Sequence, residues 1–346
     1  MYYKGAPYEG SYTGLRARWN QTTNTGTLRI IMVHGMSGFG TITPGYGSNF
    51  AVHVAKRFDL TSRECVTSNL ISSTGVTNFL RKYTFGNPFD HKLVIYELTW
   101  SPMTTQIKSH QFARDDEMKR HRLWGNNQIK SLVDSGFGDA MLYLNPTYRT
   151  KLQEPIVQTI TKVEQESPNE NDRIVFVTHS LGSKMTLDTI VDHTNNPAVT
   201  NLIGKTTDII MLANQAPLLN LATETNELAF APGEAVTEHP NSLYRALKVV
   251  GEHKKGRPRT GFETNTLPVV RVVAASDPND DLTFPLDTKP VQVSGITVFT
   301  SNIYTFNAWS LLWLVEWPAS AHTGYFVNDQ LIAKLIEGFP KKGGAR

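Results

Sequence analysis

The stretch 173–190, RIVFVTHSLGSKMTLDTI, constrains the fold more than any other part of the chain. It opens with Ile174-Val175-Phe176-Val177, a run whose length and β-branched content predict a buried strand of a parallel sheet. The chain then turns at Thr178-His179-Ser180-Leu181-Gly182, and Met185, Leu187, Ile190 and Val191 follow on one side of an expected helix. A strand, a sharp turn and a helix with serine at the apex make a nucleophile elbow. The turn pushes the serine oxygen out of the sheet, toward the first N–H groups of the helix. Strand and helix approach closely there, so small residues are needed two positions to either side of the serine. Gly182 meets that need, whereas Thr178 stands where glycine is usual. A plain helix start with Ser180 as N-cap fits the same residues, so the rest of the chain has to decide.

Around this unit, apolar runs at 28–33, 64–70, 92–98, 208–212, 269–274 and 296–304 read as strands, and 50–58, 154–163 and 328–336 as helices. Strands alternating with helices predict an α/β fold, a mainly parallel sheet with helices on both faces, in a single domain over 1–346. Residues 101–150, charged through 114–120 and amphipathic around Ile129, Leu132 and Val133, read as a helical cap insertion. Residues 216–265, interrupted by Pro232, Gly233 and Pro240, read as a second cap or lid. The segment AWSLLWLVEW at 308–317 is half a membrane span and is expected to be buried packing, with a lipophilic patch beside the site as the alternative.

Composition removes several function classes. Hydrophobic content of 40% with 19% charged residues suits a globular protein with a sizeable core. A net charge of +3 demands neither nucleic acid nor an anionic membrane, so no nucleic-acid partner is expected. The basic runs at 254–259 and 341–342 read as solvated loops. The lone cysteine, Cys65, excludes an intrachain disulfide and a thiolate metal cluster, and reads as a structural thiol at a strand edge. His53, His110, His121, His193, His239 and His253 stand singly, so no metal is inferred; no phosphate-cradling loop is present, and no cofactor is expected. The opening residues lack a signal-peptide core and no apolar stretch approaches ~20 residues. A cytoplasmic protein and a mature secreted form both fit.

Three pieces of chemistry fall at strand ends. After Ser180 comes the loop 274–281 with Asp277, Asp280 and Asp281, then His322 before the last helix. A serine hydroxyl is a poor nucleophile at neutral pH and needs a base within hydrogen-bond reach, which in turn needs a carboxylate to fix its tautomer. Asp277 lies closest to its strand, before Pro278, where it can cap the turn. Asp281 makes Asp-x-x-x-Pro with Pro285, and Asp280 lies far enough out to reach a histidine loop. Asp280 is the choice, with Asp277 and Asp281 as alternatives. For an oxyanion, glycine in His34-Gly35-Met36 permits close approach, and the Met36 N–H can join that of Leu181. His179 is expected beneath the elbow and His34 to order the oxyanion loop. Ser37 is rejected as a nucleophile because Phe39, not glycine, lies two positions on.

HGMSGFG at 34–40 resembles the HGM-x-GF oxyanion loop of bacterial triacylglycerol lipases, and HSLG at 179–182 resembles their elbow. The order Ser, Asp, His, each after a strand, is that of the α/β-hydrolases. The resemblance implies an α/β-hydrolase fold with a nucleophile at Ser180, oxyanion donors at Met36 and Leu181, and a base at His322. It implies hydrolysis of a carboxylic ester, of a lipid or other acyl chain, by a lipase or esterase. The partner would be a small-molecule ester or lipid substrate, with peripheral contact to lipid surfaces left open. A thioesterase or acyltransferase would use the same residues, and a non-catalytic binding protein would use the same fold.

Overall fold

The computed structural model describes residues 6–22, 26–37, 42–60, 64–86, 92–123, 126, 130, 132–220, 241–254, 268–307, 310–311, 315–316 and 318–340. In chain order the strands are β1 (Tyr8–Glu9), β2 (Thr27–Val33), β3 (Glu64–Ile71), β4 (Thr77–Gly86), β5 (Lys92–Thr99), β6 (Arg173–His179), β7 (Thr206–Leu212), β8 (Val269–Ser276), β9 (Val291–Val293) and β10 (Ile296–Tyr304). The α-helices are α1 (Gly14–Gln21), α2 (Ser48–Arg57), α3 (Pro102–Met118), α4 (Gly138–Leu144), α5 (Pro146–Gln165), α6 (Leu181–Asp192), α7 (Pro197–Gly204), α8 (Ala216–Asn220), α9 (Ser242–Lys254), α10 (Pro318–Thr323) and α11 (Asp329–Glu337).

Among the described residues one sheet runs β1-β10-β8-β7-β6-β2-β5-β4-β3, with β9 also paired to β10. Its centre, from β5 through β2, β6, β7 and β8 to β10, is parallel. The flanking β1, β3, β4 and β9 pair antiparallel. Every residue of β2, β6 and β7 is buried, as a parallel sheet covered on both faces requires. Alternate residues of β6 feed different cores. Ile174 and Phe176 pack with α5, α6, α7 and α9, whereas Val175 and Val177 pack with α1, α2 and α11. The sequence reading of a mostly parallel α/β sheet with helices on both faces is therefore the observed architecture.

Register brings the loops that carry the candidate residues to one edge. Val33 is level with Thr178, His179 with Leu212, Leu212 with Ala275, and Ser276 with Tyr304. The carboxyl ends of β2, β6, β8 and β10 thus open on the same rim, where open α/β sheets hold their ligands. Helix starts follow local chemistry. Asn145 accepts the Thr147 N–H at 3.0 Å ahead of Pro146, and α5 then buries Leu152, Ile156, Ile160 and Val163 in helical spacing. Asn328 accepts the N–H groups of Gln330 and Leu331 at 3.1 and 3.0 Å and starts α11. That helix ends at Gly338, φ 78°, where a Cβ would lie 2.3 Å from the Tyr12 carbonyl.

Several features depart from the sequence reading. The helix expected at 154–163 starts eight residues earlier, at Pro146, because Asn145 caps it there. The strands β1, β4 and β9 and helix α1 are additions. Helix α1 buries only Leu15 and Trp19 as apolar anchors, and its Arg18 is neutralised by Asp208 on β7 at 2.9 Å. Cys65 is exposed on the edge strand β3, so it is not a packed structural thiol. Residues 102–118 and 138–144 within 101–150 are helical, as α3 and α4, and Ile129 lies outside the described residues. Of the second, 221–240 and 255–267 lie outside the described residues, and with them its lid reading and most of the basic run at 254–259; the run at 341–342 lies outside as well. In 308–317, Ser310–Leu311 and Val315–Glu316 form a two-stranded ribbon whose side chains are not described. No helix among the described residues is long and apolar enough to cross a membrane.

Candidate active site

Ser180 sits between the end of β6 and the start of α6 with φ 53° and ψ −128°, a backbone state that L-residues rarely adopt. Three contacts hold it there. Its N–H donates to the Leu212 carbonyl at 2.8 Å, and its carbonyl accepts the Ser183 N–H at 3.0 Å. A Cβ on Gly182 would lie 2.4 Å from the His34 carbonyl oxygen and 2.7 Å from that of Val33, so only glycine lets α6 approach β2 this closely. Thr178 is accommodated by bonding rather than by absence of bulk: its Oγ1 lies 2.9 Å from Ser183 Oγ and 3.2 Å from the Ile210 carbonyl. The residue in the usual glycine position thereby ties the strand to the first turn of the helix.

His322, on α10, places Nε2 3.0 Å from Ser180 Oγ, and Nδ1 2.8 and 3.0 Å from Asp280 Oδ2 and Oδ1. All three side chains are buried. Asp280 also accepts the Leu282 N–H at 3.1 Å and the Tyr325 hydroxyl at 3.2 Å. The other two aspartates point elsewhere. Asp277 accepts the N–H groups of Asn279 at 2.9 Å and Asn307 at 2.6 Å, the turn-capping role its position allowed. Asp281 is exposed. Of the three carboxylates in this loop, the one brought to His322 is Asp280.

The opposite wall is the loop after β2. A Cβ on Gly35 would fall 2.4 Å from Ser180 Cβ, so the Gly35 backbone runs directly against the serine. Leu181 opens α6, and the first N–H of a helix has no acceptor within it. The His34 Nδ1–H donates to the Gly35 carbonyl at 2.7 Å, while Nε2 accepts the N–H groups of Trp100 at 3.1 Å and Ser101 at 3.4 Å. Its ring stacks on Trp100 with centroids 4.9 Å apart. Burial drives the His34 imidazole down to about 4, so it stays neutral and its tautomer is set. His179 packs against His322, with ring centroids 5.0 Å apart. Its Nε2–H donates to the His322 carbonyl at 2.7 Å, and burial, aided by His322, pushes it down to about 3.

Three sets of residues around this site carry no motif. Tyr325 accepts the Asp277 N–H at 2.7 Å and donates to Asp280, linking two positions of the loop after β8; burial and the Asp280 charge push its phenol up, so it remains a donor. Lys108 and Asp139, an ion pair at 2.6 Å, bond to Ser37. Under the elbow helix, Asp188 accepts the Ser242 hydroxyl at 2.6 Å and the Tyr143 hydroxyl at 2.9 Å, and Lys184 donates to Ser242 at 2.7 Å. A buried polar residue such as Lys184 inside an apolar helix pattern is the one hint of that network in the sequence. Among the described residues no group of three His, Cys, Asp or Glu side chains is arranged to hold a metal ion.

The arrangement can move a proton from a hydroxyl to an imidazole held by a carboxylate, at a serine that lies against a glycine loop and at the start of a helix. Comparison with protein-family models, with curated proteins and with solved structures finds no match for the chain.

Proposed function

We propose that the chain is a serine hydrolase on a one-domain α/β-hydrolase fold, cleaving carboxylic esters through an acyl-enzyme on Ser180. The observation that carries this reading is the continuous contact from Asp280 through His322 to Ser180, at 2.8 and 3.0 Å, on a serine held at positive φ. Ser180 Oγ attacks the ester carbonyl as His322 Nε2 takes its proton. Asp280 holds the ring and offsets the imidazolium charge. The carbonyl oxygen, now negative, lies toward the N–H groups of Met36 and Leu181, each such donor being worth about 2.7–4 kcal/mol. The tetrahedral adduct collapses, the C–O bond to the alcohol breaks, and His322 returns its proton to that oxygen. Water then gives a proton to His322 and attacks the acyl carbonyl, and the acid leaves as Ser180 recovers its hydrogen.

The substrate class favoured is a lipid or other acyl ester. It is supported by the likeness of HGMSGFG to lipase oxyanion loops and by Met118, Leu123, Phe137 and Met141, exposed on the first insertion. Rates on a soluble p-nitrophenyl ester and on an emulsified long-chain ester test both levels. Hydrolysis that vanishes in Ser180→Ala, with an unchanged melting profile, is expected; full hydrolysis in that variant overturns the serine assignment. Equal rates on dissolved and aggregated ester would remove the lipid preference and leave a plain esterase.

A further inference from the structure

The peptide planes on both sides of Met36 are held. On the near side, the His34 Nδ1–H bonds the Gly35 carbonyl at 2.7 Å, which fixes the Gly35–Met36 plane and so the direction of the Met36 N–H. On the far side, the Ser37 N–H donates to Asp139 Oδ2 at 2.8 Å, which fixes the Met36–Ser37 plane. The Ser37 hydroxyl donates to the same oxygen at 2.8 Å. Lys108 Nζ lies 2.6 Å from Ser37 Oγ and 2.6 Å from Asp139 Oδ1. All three residues are buried. Gly138 makes room for this contact, since a Cβ there would lie 3.1 Å from Lys108 Cδ.

We propose that Lys108 and Asp139 are positioning residues for the oxyanion hole, and that this part of the first insertion is a fixed buttress of the Met36 loop. The inference rests on the hydrolase reading above. Burying two charges to join two helices is a poor return, because apolar side chains of similar volume do that equally well or better. Here one oxygen of the carboxylate is given to the N–H and the hydroxyl of a residue outside both helices. The helices α3 and α4 supply the pair, and the loop after β2 takes its bonds. A donor displaced by about 1 Å loses on the order of 10²-fold in rate, so small freedom at Met36 has a large effect.

The test is a set of variants assayed on a soluble p-nitrophenyl ester. Lys108→Met with Asp139→Leu replaces the pair by apolar groups of similar size, which leaves packing in place but strips Ser37 of its acceptor. Its kcat is expected to fall roughly 10- to 100-fold with KM within about threefold. Asp139→Asn retains an acceptor for the Ser37 N–H but leaves Lys108 without its carboxylate. It is expected to lose more in melting temperature than in kcat. That crossed pattern is one a purely structural pair would not give. A folded double variant with wild-type kcat overturns the proposal. Should the double variant not fold, Ser37→Ala decides: a several-fold fall in kcat at unchanged KM supports the clamp, and unchanged kcat overturns it. Wild-type protein that neither turns over ester nor is acylated at Ser180 would instead defeat the hydrolase reading itself.

Discussion

Lowering the pH from 7 to 5 should destabilise the protein through two buried histidines. Burial holds His34 down to about 4 and His179 down to about 3, while in the unfolded chain both titrate near 6.5. Between those values the unfolded state binds more protons than the folded one. Stability contributed by the neutral rings is therefore complete above 6.5, and is lost as pH falls toward the folded values. At pH 5 each ring is about 1.5 units below its unfolded value, which at 1.36 kcal/mol per unit is about 2 kcal/mol each and about 4 kcal/mol together. An unfolding entropy of about 2.1 cal/mol/K per residue over 346 residues turns that into a Tm lower by roughly 5 °C. The buried carboxyl of Glu97, pushed up by desolvation, acts in the opposite direction and blunts the total. A variant comparison isolates the histidine part. His179→Gln keeps a donor toward the His322 carbonyl but cannot titrate, so the slope of unfolding free energy between pH 6 and 5 should drop by about 1.4 kcal/mol per unit. Urea titrations of both proteins across that range measure it. Identical slopes in wild type and variant would refute the reasoning.

Three substitutions and one control probe the site itself. Asp280→Asn should lower kcat by about 10⁴-fold, as loss of the tautomer-fixing carboxylate does in such triads, while Asp281→Asn leaves it unchanged; equal effects would contradict the geometry. Tyr325→Phe strips Asp280 of a donor and leaves the Asp277 N–H without its acceptor, so it should cost about 1–3 kcal/mol in urea unfolding and slow kcat more than it alters KM. Gly182→Ala forces a Cβ onto the His34 and Val33 carbonyls, and should cost about 1–3 kcal/mol or more with loss of turnover; a stable, active variant would show that α6 can shift.

How much was legible follows from which interactions are local. Buried parallel strands announce themselves as continuous apolar runs, so β2, β5, β6, β7, β8 and β10 stand where the sequence puts them. The strand β4, TNFLRKYTFG, sets Arg81 among Phe79, Tyr83 and Phe85 on one face and Lys82, bonded to Glu166, beside Leu80 on the other, so each face mixes apolar and charged residues. It has no clean period of two. Helix α1 is invisible for another reason: its Arg18 is buried only because Asp208, 190 positions away, receives it. At the site, the elbow and the histidine segment carry recognisable order, but choosing among Asp277, Asp280 and Asp281 depends on which carboxylate the loop turns outward. Asn307 and Asn279 take Asp277 out of reach, and nothing in the local sequence says so. Lys108, Asp139 and Ser37 are further removed still, at separations of 31, 71 and 102 positions. Each residue alone looks like an ordinary solvated side chain.

Acylation of the folded protein by a fluorophosphonate, located by peptide mass mapping, tests the central claim most directly. The account expects one adduct per chain, on Ser180, formed rapidly in wild type and not formed in His322→Ala, since the hydroxyl is reactive only while that ring accepts its proton. Labelling that falls on another residue, or that proceeds at Ser180 equally well without the imidazole, would contradict it.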